Sequence, residues 1–159
     1  MRLFGRHATF DKPPPDIDFV DALVQVFYNQ PSDWDPLSPP QHWARHMLDT
    51  VRHHLPKETN RENLGLYLAL GTSLDWWHGV DAFFALELGV ATLDVTTRRR
   101  GSKRARETVN FVIYEETMHQ FFDDRCGKIA ARLLEDQRGL KNALARYAKA
   151  QLDADPDHS

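Results

Sequence analysis

From Ile17 to Phe27 the apolar residues Ile17, Val20, Leu23, Val24 and Phe27 recur at the spacing of one helix face. Asp16 or Asp18 can cap that helix, and Asn29 with Pro31 should end it. A second helix is predicted over 39–55, with Ser38 as N-cap, Pro39 at the first helical position, Gln41 at the third and Pro56 as the stop. Trp43, Met47, Val51 and Leu55 form its apolar stripe. The period then changes. Leu64, Leu66, Leu68 and Leu70 alternate with Gly65, Tyr67 and Ala69, which argues for a strand, although the weak strand preference of leucine leaves a helix from Thr59 open. Gly71-Thr72-Ser73 breaks the pattern, and Leu74–His78 reads as a turn or a single helical turn. Val80–Leu86 and Val90–Thr97 are rich in β-branched and aromatic residues, and Glu87-Leu88-Gly89 between them favours a hairpin. Thr108–Tyr114, reading TVNFVIY, is a further strand. Met118, Phe121, Phe122, Ile129, Leu133 and Leu134 predict a helix through about Gln137, which Gly139 bends or ends before a second piece reaching about Leu152.

Two early helices, a block of strands and a late helix predict an α+β fold: a small mixed, mostly antiparallel sheet of about four strands flanked by helices. The 159 residues suit a single domain, with residues 1–15 as a proline-ended arm and 138–159 as a C-terminal helix and acidic tail. Charged residues make up 27% and hydrophobic residues 42%, which fits a globular core rather than a disordered chain. The net charge of −3 conceals an asymmetry: six of the nine residues from Arg98 to Arg106 are basic, whereas Asp153–Asp157 carries three aspartates. Cys126 is the only cysteine, so an intrachain disulfide and a cysteine-based zinc site are excluded, and a reducing, cytoplasmic setting is expected. No leader-like apolar segment and no apolar run of membrane-spanning length is present, so no membrane partner is expected. A homodimer is compatible with the composition.

Candidate chemistry centres on the hairpin. With Leu88-Gly89 as a two-residue turn, Glu87 pairs with Val90, Asp81 falls opposite Thr96 and Phe83 opposite Asp94. Asp81, Asp94 and Thr96 then share a face, with the two carboxylates as diagonal neighbours able to share a small hard cation such as Mg²⁺ or Mn²⁺. GVDAFF and ATLDVT embed both aspartates in apolar residues, and buried carboxylates need partners. The basic run follows at once, with Arg98, Arg99, Arg100, Lys103, Arg104 and Arg106 placed to neutralise phosphates of a nucleic acid, or else to form a solvated loop. Trp76, Trp77 and His78 can stack on bases or belong to the core, with core preferred for at least one tryptophan. His42, His46, Asp49 and His53 lie along one face of the second helix and read as a solvated stripe or, alternatively, a histidine metal site. Glu115 and Glu116 are expected to cap the last helix, and Cys126 to pack.

Asp81 on one strand, Asp94 thirteen residues later on the next, and a helix before the hairpin resemble the PD-(D/E)-x-K nuclease-like superfamily over about residues 39–137. The resemblance implies a restriction-endonuclease-like core of order αβββαβ. It also implies Asp81 and Asp94 as carboxylates holding a divalent metal that activates water against a phosphodiester of DNA or RNA. Thr96 stands where the family keeps its lysine, and Lys103 is the residue that can substitute. An upstream acid would come from Asp49, Glu58, Glu62 or Asp75. The same residues also fit a catalytically inactive module that binds nucleic acid or protein.

Overall fold

A computed structural model describes residues 3–6, 9–87, 89–96, 108–135 and 137, together with the isolated positions 142, 145, 146, 149, 150 and 153. In chain order the elements are α1 (Phe19–Tyr28), α2 (His42–His54), β1 (Gly65–Leu68), α3 (Ser73–His78), β2 (Ala82–Leu86), β3 (Gly89–Thr96), β4 (Phe111–Tyr114) and α4 (Phe122–Leu134). Short 3-10 turns at Arg61–Asn63 and Glu115–Thr117 precede β1 and α4. The four strands form one mixed sheet of order β1-β2-β3-β4, antiparallel through the first three and parallel between β3 and β4. A parallel pair needs a crossover of about a dozen residues, and the chain between Thr96 and Phe111 is long enough to supply one. The expected α+β class and the small, mostly antiparallel sheet are both present. Among the described residues no helix is long and apolar enough to cross a membrane.

The helix boundaries follow local chemistry. At α1, Asp18 Oδ1 accepts from the Asp21 amide, and the Asn29 N–H closes the last turn on the Val26 carbonyl. The start of α2 differs from the expectation. Its N-cap is Gln41, whose Oε1 accepts from the Trp43 and Ala44 amides at 2.7 and 3.1 Å. Pro40 explains the displacement, because the residue before a proline is pushed out of helical geometry, so Pro39 cannot begin the helix. At the other end of the chain, Phe121 takes a left-handed φ of 55° and interrupts the expected 118–137 helix. The first-turn acids of α4 are consequently Asp123 and Asp124, while Glu115 and Glu116 sit in the preceding 3-10 turn rather than capping it.

Each sheet face has its own core. Leu66, Leu68, Ala82, Phe84, Ala91, Leu93 and Ile113 pack against Met47, Leu48 and Val51 of α2 and Ile129, Ala130 and Leu133 of α4. On the other face Phe83, Ala85 and Val90 meet Leu23 and Val26 of α1 and Leu74 of α3. In the N-terminal arm Leu3 and Phe4 are buried in the first of these cores. The free edge of β1 is closed by the 30–36 loop. Gln30 accepts from the Leu68 amide and donates to the Leu68 carbonyl, while Pro36 O and Trp34 Nε1 satisfy the amide and carbonyl of Leu66. An edge so occupied offers no template for another strand.

The hairpin register differs from the expectation by two residues. Leu86 pairs with Gly89 and Ala82 with Leu93, so the connection begins at Glu87 and Gly89 belongs to β3. Glu87 accepts a left-handed φ of 51°, and Asn60 Nδ2 holds its carboxylate at 3.1 Å. Gly89 is claimed by packing instead of by the turn, because a Cβ there would collide with the Leu133 carbonyl of α4. Gly89→Ala is therefore expected to destabilise the fold by roughly 1–3 kcal/mol through overpacking. Urea denaturation tests this, and a variant within about 0.5 kcal/mol of wild type, the range of an ordinary surface change, would show that α4 does not press on the hairpin.

Candidate functional site

A two-residue change of register preserves the face of every side chain. The paired register ends at Ala82 and Leu93, and the Asp81 amide then donates to the Leu93 carbonyl, so Asp81 leaves the regular ladder just before β2 instead of falling opposite Thr96. Asp81, Asp94 and Thr96 are all buried, at 6%, 2% and 8% exposure, and Asp94 and Thr96 alternate with Val95 onto the sheet face covered by α1 and α3. Asp81 and Asp94 thus lie at the same end of the β2–β3 pair, but not on the expected diagonal of a regular ladder.

Asp81 sits where the β2 ladder gives way to α3. Its amide donates to the Leu93 carbonyl of β3 and its carbonyl accepts from Ala69 after β1, both at 2.8 Å. Its carboxylate Oδ2 accepts from the Val95 amide at 2.8 Å, continuing toward β3 where the backbone has turned away. The turn into β2 depends on Gly79, whose φ of 72° ends α3 and returns its N–H to the Asp75 carbonyl. That reversal folds α3 back over the sheet end, and a side-chain hydrogen bond joins Asp75 to Asp81. The other commitment of Asp75 is to the loop before α3, where Oδ2 accepts from the Gly71 amide at 3.0 Å.

A bond between two carboxyl groups requires a proton. Burial pushes Asp81 upward most strongly, the Asp75 carboxyl adds to the rise, and the charge of Asp94 adds a little more. The Val95 N–H opposes them, and the result is a pKa pushed up to about 9. At neutral pH Asp81 is consequently held in its neutral form beside Asp75.

Of the four upstream acids, Asp75 alone bonds to Asp81. Asp49 pairs with Arg52 at 3.4 Å, and Asp49 and Glu62 line an open cleft of about 640 Å³ with Leu37, Arg52, His53 and Arg61. Glu58 is exposed in the turn after α2. The histidine stripe is largely drawn into ring packing: His46 stacks on Phe122 of α4 at 4.8 Å, with the His42 ring 6.5 Å from it. Among the described residues no three or more His, Cys, Asp or Glu side chains are grouped to hold a metal ion. Neither tryptophan is fully buried; Trp76 and Trp77 are 38% and 37% exposed. Cys126 is buried, and burial pushes its thiol up to about 12, which suits a packing residue. Lys103, Arg98, Arg99, Arg100, Arg104 and Arg106 lie outside the described residues.

A polar lock beside the acids escaped the sequence reading. Thr92 N donates to Asn110 Oδ1 at 3.0 Å, Asn110 N to Thr92 Oγ1 at 2.9 Å, and Thr92 Oγ1 to the Thr108 carbonyl at 2.5 Å. Thr108 Oγ1 in turn donates to the His78 carbonyl at the end of α3. Residues on both sides of the 97–107 segment are thereby fixed to the acid-bearing face. Thr92 carried no signal in sequence because threonine is an ordinary strand residue.

With the folded pKa of Asp81 above its usual 3.8, the folded state holds the extra proton between about pH 4 and 9. The contribution of this group is fully present below about pH 4 and is lost as pH rises through 9. One proton limits its slope to about 1.4 kcal/mol per pH unit. Asp81→Asn keeps a neutral donor and should flatten the stability profile of the wild type between pH 5 and 8 in urea denaturation; parallel profiles would place the proton elsewhere.

No protein-family model, curated protein or solved structure matches this chain, so the chemistry of Asp75, Asp81 and Asp94 rests on their own geometry.

Proposed function

We propose that this domain is a divalent-metal-dependent nuclease-like protein that acts on phosphodiester bonds of DNA or RNA through Asp81 and Asp94, with Asp75 as the third acid. The observation that supports this most is the burial of Asp81 and Asp94 at one end of the β2–β3 pair, with the Asp75 carboxyl beside Asp81. Carboxyl groups gathered in a low-dielectric site favour a positive charge among them, and a proton or a hard cation can meet that demand. An all-oxygen donor set suits Mg²⁺ or Mn²⁺, which need only one or two carboxylates and complete their coordination with water and phosphate oxygens. Asp81 and Asp94 would hold the ion, which when bound supplies Lewis acidity and an activated water. Asp75 would stand beside Asp81 as the third acid, and the Val95 N–H would keep Asp81 oriented toward β3. Lys103 would provide the charge that Thr96 lacks, and Arg98, Arg99, Arg100, Arg104 and Arg106 would hold phosphates.

A second reading, a catalytically inactive nucleic-acid- or protein-binding module, is favoured by the structural work of the same acids. Asp81 accepts from Val95 and Asp75 accepts from Gly71, and Thr96 supplies no charge. Metal exchange separates the two readings.

Because the ion must displace a proton, Mn²⁺ or Mg²⁺ affinity measured by calorimetry should strengthen from pH 6 to pH 8, by up to about tenfold per pH unit. Asp94→Asn should weaken it by an order of magnitude or more, and cleavage of mixed DNA and RNA substrates should fall with it. Failure of the wild type to bind either ion at pH 8 would leave only the inactive module. In both readings, replacing Arg98, Arg99 and Arg100 by Gln should make nucleic-acid binding less sensitive to salt. The log–log slope should fall by about 0.7–0.9 for each phosphate that is no longer neutralised. An unchanged slope would remove the basic run from the interface.

A further inference from the structure

The helix that carries Asp75 also bonds outward, to the chain that precedes α1. Trp77 Nε1 donates to the Pro14 carbonyl at 2.9 Å and Ser73 Oγ to the Pro15 carbonyl at 2.7 Å. His78 Nε2 lies 2.8 Å from the Ile17 carbonyl, which makes that ring nitrogen the donor. The Trp76 ring meets Phe10 edge to face at 4.7 Å. One face of α3 therefore presents three hydrogen-bond donors and an indole ring, and an extended segment fills it with three carbonyls and a phenyl ring.

The chemistry of this match points to proline. Proline carries a carbonyl but no N–H, and an extended polyproline chain keeps its carbonyls free for outside donors. A surface of donors flanked by indole rings is its complement, and preformed stiffness reduces the entropy lost on docking. The side chains of the bound segment add little. Asp11, Lys12, Pro13, Pro15 and Asp16 are exposed, so the face reads backbone and ring rather than a particular sequence. Trp76 and Trp77 also keep more than a third of their surface open beside the segment.

We propose that the Ser73, Trp76, Trp77 and His78 face of α3 is a docking site for an extended, proline-containing peptide, held in cis by residues 10–17, and that a proline-rich segment of a partner protein exchanges with that strap. This site is independent of the acids' chemistry, although Asp75 lies on the same helix.

The test uses the full chain and a synthetic peptide of residues 9–18, TFDKPPPDID. A flexible cis tether competes at about millimolar effective concentration, so wild type should bind the peptide weakly. Replacing Pro13, Pro14 and Pro15 by glycine in the chain should loosen the strap. That chain should take up the peptide saturably, at least about fivefold more tightly than wild type, in calorimetry and tryptophan fluorescence. Adding Trp77→Phe, which keeps a ring but deletes the donor, should weaken uptake by about three- to tenfold. The proposal is overturned if the glycine chain keeps its native circular dichroism yet binds nothing at about 5 mM peptide. It is also overturned if a peptide with glycine in place of the prolines binds equally well, or if Trp77→Phe has no effect. Concentration-dependent dimerisation without peptide uptake would assign the face to exchange between copies instead.

Discussion

The buried carboxyl of Asp81 is the point on which the sheet and its helices converge. Its backbone bridges β1 and β3, its carboxyl accepts from Val95, and it stands beside Asp75 on α3. A carboxyl group in this position is costly unless every polar atom finds a partner, and the neighbouring elements are arranged to supply them. The left-handed Gly79 turns α3 back so that Asp75 arrives. Burial and the neighbouring acids keep Asp81 neutral, which removes one negative charge from among three acids.

Packing on the opposite face fixes the register that makes this arrangement possible. α4 lies so close to the hairpin that only glycine fits at position 89, which goes with Leu86 opposite Gly89 and Ala82 opposite Leu93. The Thr92–Asn110–Thr108 lock then secures the return of the chain toward β4 and ties it to the end of α3. On the outer side of α3, the proline strap holds the same helix through Ser73, Trp77 and His78. A six-residue helix has little intrinsic stability, so its position is set by these flanking contacts.

Periodicity and punctuation determined much of the fold. The helical stripes of 17–27 and 39–55, the alternation of 64–70 and the β-branched runs around Asp81 and Asp94 each specify an element, because each needs only local spacing and one buried face. The faces of the residues within β2 and β3 were also legible, since strand parity survives a register error of two. Tertiary structure decided what depends on groups distant in sequence or on competing claims to one residue. Pro40 moved the start of α2, and the approach of α4 took Gly89 from the turn. The reversal at Gly79 selected Asp75 among four acids of similar spacing. The sequence by itself determined that two carboxyls would be embedded in apolar strands. Only the folded packing decided that a third would stand beside Asp81 and help keep it neutral, because a carboxyl's ionisation is set by its surroundings and not by its neighbours in the chain.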